Sequence, residues 1–227
     1  MKRLFPLVLL TLILTGCSSP YAWISQSNNS VNLVLTFDID DPVHRTILLE
    51  EAKKVIGRRL SRFEDATPSE MMVNNQEDGS LLLSFDVEND EARTILVDEL
   101  LMPYSLKLMT VSTGTGDLFV EDVGWFNNTA ITQKQIVWTE GDSDQDGKGV
   151  VRLVFSEEGH AMLGEVFRQH QDGNLGLFVR DRLMATMPID TQEPKAEIII
   201  AGIPVPDMAG IFADDVNVGT HVTFSLP

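Results

Sequence analysis

The residues that could do chemistry are few, and the clearest group is acidic. Asp142-Ser143-Asp144-Gln145-Asp146-Gly147 alternates three carboxylates and ends on glycine. That spacing fits the opening of a calcium loop, in which oxygen ligands alternate and glycine permits the sharp turn. A complete loop places a bidentate Glu at its twelfth position. Counted from Asp142, that position is Leu153, and Glu157 comes four residues too late. The flanking segments also read as strands, where a calcium loop has helices. An acidic hairpin loop is therefore the default reading, with no cofactor, and calcium on Asp142, Asp144 and Asp146 is the alternative. His44, His160, His170 and His221 show no metal-ligand spacing. The chain holds no nucleophile elbow, phosphate-cradling motif or zinc-protease helix. Thr113-Gly114-Thr115-Gly116 leads into no phosphate-loop lysine and reads as a hinge. Acid pairs are scattered throughout, so none stands out as a general acid/base dyad. The sequence points away from an enzyme.

The other reactive residue is Cys17, the single cysteine in 227 residues. It has no partner for a disulfide, so it needs another purpose. Before it come Lys2 and Arg3, then an apolar run from Leu4 to Leu14 broken at Pro6 and Thr11. That run is shorter than the ~20 residues a membrane-spanning helix needs. Leu14-Thr15-Gly16-Cys17 resembles the bacterial lipobox, where a peptidase cuts before a cysteine that carries lipid. An ordinary signal peptide or an uncleaved anchor is the alternative. Acyl chains contribute ~0.8 kcal/mol per buried CH₂, and more than one chain makes the anchor stable. Ser18 and Ser19 follow, where an aspartate would resemble an inner-membrane retention signal. The expectation is a chain cut after residue 16 and anchored by lipid on Cys17, facing the periplasm, with the outer membrane favoured over the inner.

The formal net charge is −17, and loss of Lys2 and Arg3 makes the remainder more acidic. That argues against nucleic acid as a partner and against adhesion to anionic lipid faces. The acids are spread along the chain and read as a solvated surface. No other apolar stretch reaches spanning length. The length suits one large or two small domains.

The elements that must position these residues alternate between strand and helix. Residues 17–30 are polar, with Tyr21 and Trp23, and read as a flexible tether. Val31, Leu33, Leu35 and Phe37 alternate as a half-buried strand. A helix is expected from about His44 to Phe63, a strand from Ser80 to Val87, and a helix from Glu91 to Leu101 capped by Asn89 or Asp90. Tyr104 to Ser112 returns as a strand. Further strands are expected at Leu118–Val123 and Ile131–Glu140. Val150–Phe155 is a strand, and Ser156 caps a helix running to about Gln169. Leu175–Val179 and Leu183–Ile189 form a hairpin, Glu197–Gly202 a strand, and Pro206–Asp215 a short helix with Pro206 in its first turn. Val216–Leu226 would close the sheet. The pattern is α+β, with helices on one face of a small sheet.

Several of these segments resemble the large periplasmic domain of SecD, the preprotein-translocase subunit. Gly149-Val150-Val151-Arg152-Leu153-Val154-Phe155-Ser156-Glu157-Glu158-Gly159 is similar to a strand of the form "PVVSF.L" followed by "EEG" opening a helix. Leu175 to Ile189 resembles a family hairpin ending in "SAPVI", and Glu197 to Gly202 a strand reading "GQISG". The helix at Pro206 sits where the family has an "EEAN" helix. Val55-Ile56-Gly57-Arg58-Arg59-Leu60 resembles "VIRNRI", and Val87-Glu88-Asn89-Asp90-Glu91-Ala92 resembles "V.DPERA". The resemblance implies a ferredoxin-like base subdomain at 31–125 and a smaller α+β head subdomain at 126–227. It also implies non-catalytic binding of unfolded polypeptide, or of translocon and envelope partners, in protein export. The alternative is a structural or assembly subunit of another envelope complex. The family's transmembrane helices have no counterpart, so a proton-driven motor is not expected. The family hairpin turns on Asp-Gly; Asp181-Arg182 stands here, which predicts a different or longer turn.

Overall fold

The computed structural model describes residues 29–190 and 197–227. Cys17, the leader and nearly all of the tether lie outside the described residues.

The chain enters its first sheet at β1 (Ser30–Phe37), one residue inside the expected tether. Val31, Leu33 and Leu35 are buried on one face, as the alternation requires. Asp41 ends the next turn by accepting the His44 amide at 2.9 Å, and Pro42 fits the first position of α1 (Pro42–Leu60) because its missing N–H would have no helical partner. β2 (Met72–Asn75) and β3 (Leu81–Asp86) form a hairpin. Asn89 caps α2 (Asp90–Leu101) by accepting from Ala92, and Asp90 and Glu91 favour the positive end of the helix. β2 was not expected; Asn74 and Asn75 give it no apolar period.

The fourth strand of this sheet arrives from the far end of the sequence. β12 (Val222–Ser225) pairs antiparallel with β1, and the strand order is β12-β1-β3-β2. All neighbours are antiparallel. This is the order of a ferredoxin-like βαββαβ unit, with β12 in the place of the fourth strand. Leu48, Val55, Ile56 and Leu60 of α1 and Leu96 of α2 fill its core against Leu33, Leu35 and Leu83.

The strand after α2 joins a different sheet. β4 (Leu106–Ser112) lies between β6 (Gly124–Thr132) and β9 (Asn174–Val179), with β5 (Leu118–Val120) and β10 (Arg182–Pro188) outside them. A third sheet has the order β11-β8-β7, from β7 (Ile136–Ser143), β8 (Gly149–Phe155) and β11 (Glu197–Ile203). α3 (Glu157–Gln169) and α4 (Pro206–His221) complete the set. Leu106, Leu108, Leu175 and Leu177 share one core with Val151, Leu153, Phe167, Ala209 and Val216. On the other face of the five-stranded sheet, Phe126 and Phe178 meet edge to face at 4.9 Å. Strands from either side of residue 125 pair with each other, as β4 does with β9 and β1 with β12.

The architecture is therefore mixed α+β, as expected. Among the described residues no helix is long and apolar enough to cross a membrane. Four local expectations need correction. The strand at Leu118 stops at Val120 instead of Val123, and the strand beside it is Gly124–Thr132, which begins before the expected start at Ile131. Ile131–Glu140 is broken by a 3-10 turn at Gln133–Gln135, which Thr132 caps reciprocally with Gln135. The helix from Pro206 continues to His221 instead of stopping at Asp215. The β9–β10 turn is a two-residue turn, because Arg182 already pairs with Val179. Arg180 and Asp181 both take positive φ, 50° and 60°, the geometry that matches strand twist in a primed turn.

Candidate functional site

α4 is the element that positions the site. Its first half lies against β7, where the backbones of Gly141 and Ala209–Gly210 approach so closely that a Cβ at 141 would collide with them. Its second half packs on α1. Arg58 Nη1 and Nη2 donate to Asp214 and Asp215 at 2.8 and 2.9 Å. Asn217 reaches back to β7, accepting from the Thr139 amide at 2.8 Å and donating to its carbonyl at 2.9 Å. Glu51 of α1 is buried nearby. Desolvation, then the charge of Asp214, pushes its carboxyl up to about 7.

Where α4 ends, a cleft of about 740 Å³ opens between the first sheet and the rest of the molecule. Its walls come from the end of α1, residues 100–104, the start of β7, the Arg180 turn, the last turn of α4 and β12. Tyr104 lies on the α4 backbone, and only glycine at 219 leaves room for its ring. Its hydroxyl is buried without a partner among the described residues. Burial and the nearby Asp215 charge raise its pKa, against a smaller opposing effect of Arg180. Arg59 Nη1 is likewise buried and unpaired; burial and the neighbouring Arg180 guanidinium lower its pKa. Thr220 Oγ1 and His221 Nε2 complete the unpaired set on this cleft. Each such atom costs about 1–3 kcal/mol when nothing satisfies it.

His221 is 7% exposed. Its Nδ1 lies 2.8 Å from Asp38 Oδ1. In the neutral tautomer with the Nδ1 proton toward that carboxylate, Nε2 is an acceptor. The ring stacks on Trp138 with centroids 5.9 Å apart, and His44 meets Trp138 edge-on at 4.8 Å. His44 Nδ1 is 2.7 Å from Asp41 Oδ2.

The residues singled out from sequence fall elsewhere. Asp142 lies at the end of β7 and its Oδ1 accepts from the Ser143 amide at 2.7 Å. Asp144 Oδ1 accepts from the amides of Asp146 and Lys148 at 2.9 and 2.8 Å. Among the described residues no three His, Cys, Asp or Glu side chains come together as a metal would require. Cys17 lies outside the described residues. Sequence reasoning missed Arg59, Tyr104 and Thr220, and noted His221 only as an unassigned histidine. Arg59, Tyr104 and the Thr220–His221 pair come from three distant segments, and no local spacing links those segments.

No protein-family model matches the chain, and no curated protein matches its sequence. Solved structures do. A structure of SecDF, a membrane component that enhances protein export, is 18% identical with a TM-score of 0.49, and the match covers 87% of this chain and 99% of that one. SecDF in a super-membrane-facing form is 17% identical with a TM-score of 0.49, over 87% of this chain and 30% of that one. SecDF from Thermus thermophilus, a translocon-associated membrane protein, is 18% identical with a TM-score of 0.48, over 87% and 30%.

Proposed function

We propose that this chain is a non-catalytic polypeptide-binding module of the bacterial envelope, acting in protein export and held at the membrane by lipid on Cys17. The observation that carries the binding role is the outer edge of β11, which pairs with no strand among the described residues. Sheet edges are normally kept from pairing by shortness, charge, proline or cover. β2, β5 and β12 have four, three and four residues. β10 begins with Arg182, ends with Pro188 and carries a register break after Leu183. β7 is covered by Asn217 at Thr139. β11 has seven residues, no proline or lysine, and three consecutive isoleucines. Ile199 is 45% exposed; the register with β8 is regular from Glu197 to Ile200 and breaks only between Ile200 and Ile203, which leaves the isoleucine run as the even part of the edge.

An extended segment can add to such an edge as a further strand, with main-chain hydrogen bonds giving affinity and little dependence on sequence. That suits a partner met unfolded. The sequence resemblance to SecD supplies the process, and the Leu14-Thr15-Gly16-Cys17 pattern supplies the anchor and its periplasmic side, with the outer membrane favoured.

The experiment is a binding titration of a fluorescently labelled, permanently unfolded polypeptide against the chain and its Ile199→Lys variant. Micromolar-range binding by the parent, weakened about tenfold or more by a charge on the free edge, is the expected result. Equal binding by both, or none by the parent, rejects the reading. Recovery of one stoichiometric envelope protein, with no affinity for unfolded chains, would favour a structural subunit instead.

A further inference from the structure

We propose that the cleft beside the end of α4 is a binding site for the carboxylate of an organic anion with an apolar body. Of the six buried side-chain polar atoms without a partner among the described residues, four belong to residues that line this one cleft. Three of the four can donate: Arg59 Nη1, the Tyr104 hydroxyl and the Thr220 hydroxyl. A carboxylate accepts several such bonds through its two oxygens, and a guanidinium presents the matching planar fork.

The charge of the cleft selects a monoanion. Arg59, Arg180 and Lys134 line it, and the Arg180 guanidinium is close enough to disfavour the charge on Arg59. The acids among the lining residues are already engaged. Asp215 is held by Arg58 at 2.9 Å and Asp38 faces His221 at 2.8 Å. Glu99 stands 3.9 Å from Arg59 Nε and 2.7 Å from Arg62, leaving Nη1 of Arg59 free to turn to a ligand. What is left uncommitted is positive and small. A dianion such as phosphate would face Asp215 and Asp38 with too little compensation. Leu100, Val137, Trp138, Val218 and Phe224 supply apolar wall around these donors, and the volume lies within the range of small-molecule sites.

This assignment is independent of peptide addition at β11, and its test keeps the two apart. The full-length chain, reconstituted in lipid nanodiscs, is titrated calorimetrically with N-acetyl-trileucine and its amide, with phenylacetate and phenylacetamide, and with inorganic phosphate. At least one acid is expected to bind about tenfold or more tightly than its amide. Binding by both acids marks a general carboxylate site, and binding by the tripeptide acid alone marks a chain terminus. Tyr104→Phe removes one donor while keeping the ring on Gly219. It is expected to weaken the acid about fivefold to tenfold without lowering the melting temperature of the unliganded protein. Arg59→Gln should weaken it more, and Ile199→Lys should leave it unchanged. Acid and amide binding alike, no binding by either acid, phosphate binding more tightly than both, or full affinity in Tyr104→Phe would each overturn the assignment.

Discussion

Asn217 closes the outer edge of β7 by pairing with both backbone polar groups of Thr139, at 2.8 and 2.9 Å. A side-chain amide sets an N–H donor and a carbonyl acceptor side by side in one plane, so it can stand in for the peptide group of a missing neighbouring strand. The contact is buried, with Asn217 and Thr139 each 1% exposed. It ties the helix that enters the ferredoxin-like unit to the three-stranded sheet. It also explains why, among the described residues, β11 and not β7 is the open edge of that sheet.

Replacing Asn217 by Ala leaves the Thr139 N–H and carbonyl without partners in a dry site. The expected loss is about 2–4 kcal/mol of unfolding free energy, the sum of a cavity and orphaned backbone groups. Urea denaturation would read it as a lower midpoint at an unchanged slope. A loss below about 0.5 kcal/mol would mean that water replaces the amide.

Gly219 of α4 sits where a Cβ cannot be tolerated, while Gly57 of α1 does not. A Cβ at Gly219 would strike the Tyr104 ring, whereas one at Gly57 meets nothing within 4 Å. Gly219→Ala should therefore destabilise by about 1–3 kcal/mol through overpacking. Gly57→Ala should stabilise by about 0.5–1 kcal/mol, because alanine loses less backbone freedom in a helix. Thermal melts of the two variants should move in opposite directions.

Parts of this architecture were legible in the sequence for a local reason. β1 shows its alternation at Val31, Leu33 and Leu35, and α3 shows its cap at Ser156, which accepts from Gly159. β6 was not legible, because Asn127 and Asn128 interrupt its apolar residues and only Phe126 and Ile131 are fully buried. The last turn of α4 was hidden by β-branched Val216, Val218 and Thr220, which favour a strand on propensity alone. There packing wins: Val216 and Val218 are buried in two different cores. The pairing of β12 with β1 joins opposite ends of the sequence, so no window of sequence contains it. The cleft has the same difficulty, with Arg59, Tyr104, Arg180 and His221 contributed by four separate segments.

The acidic loop offers a direct choice between metal and turn chemistry. Asp144 Oδ1 already accepts two backbone amides, from Asp146 and Lys148. A carboxylate used this way stabilises the hairpin without an ion. Asp144→Ala should cost about 1 kcal/mol, in the range of a lost cap. Millimolar calcium should leave the melting temperature of the parent unchanged. A calcium-dependent rise that Asp144→Ala abolishes would establish a metal loop at Asp142, Asp144 and Asp146 instead.

Glu51 gives the fold a specific pH dependence. Its carboxyl titrates near 7 in the folded protein against an ordinary value of 4.5, first because burial desolvates it and then because Asp214 is close. A raised folded pKa means the native state binds more protons than the unfolded state between those two values. Stability must then fall as pH rises from about 4.5 to about 7, and level off above. At ~1.4 kcal/mol per unit the full penalty is about 3 kcal/mol, an upper bound because the side chain and nearby Arg58 can relax. Glu51→Gln cannot ionise. It should match the parent near pH 4 and exceed it by about 1–3 kcal/mol near pH 8. Urea midpoints across that range test this, and parallel pH profiles for parent and variant would show that Glu51 is solvated enough to titrate normally.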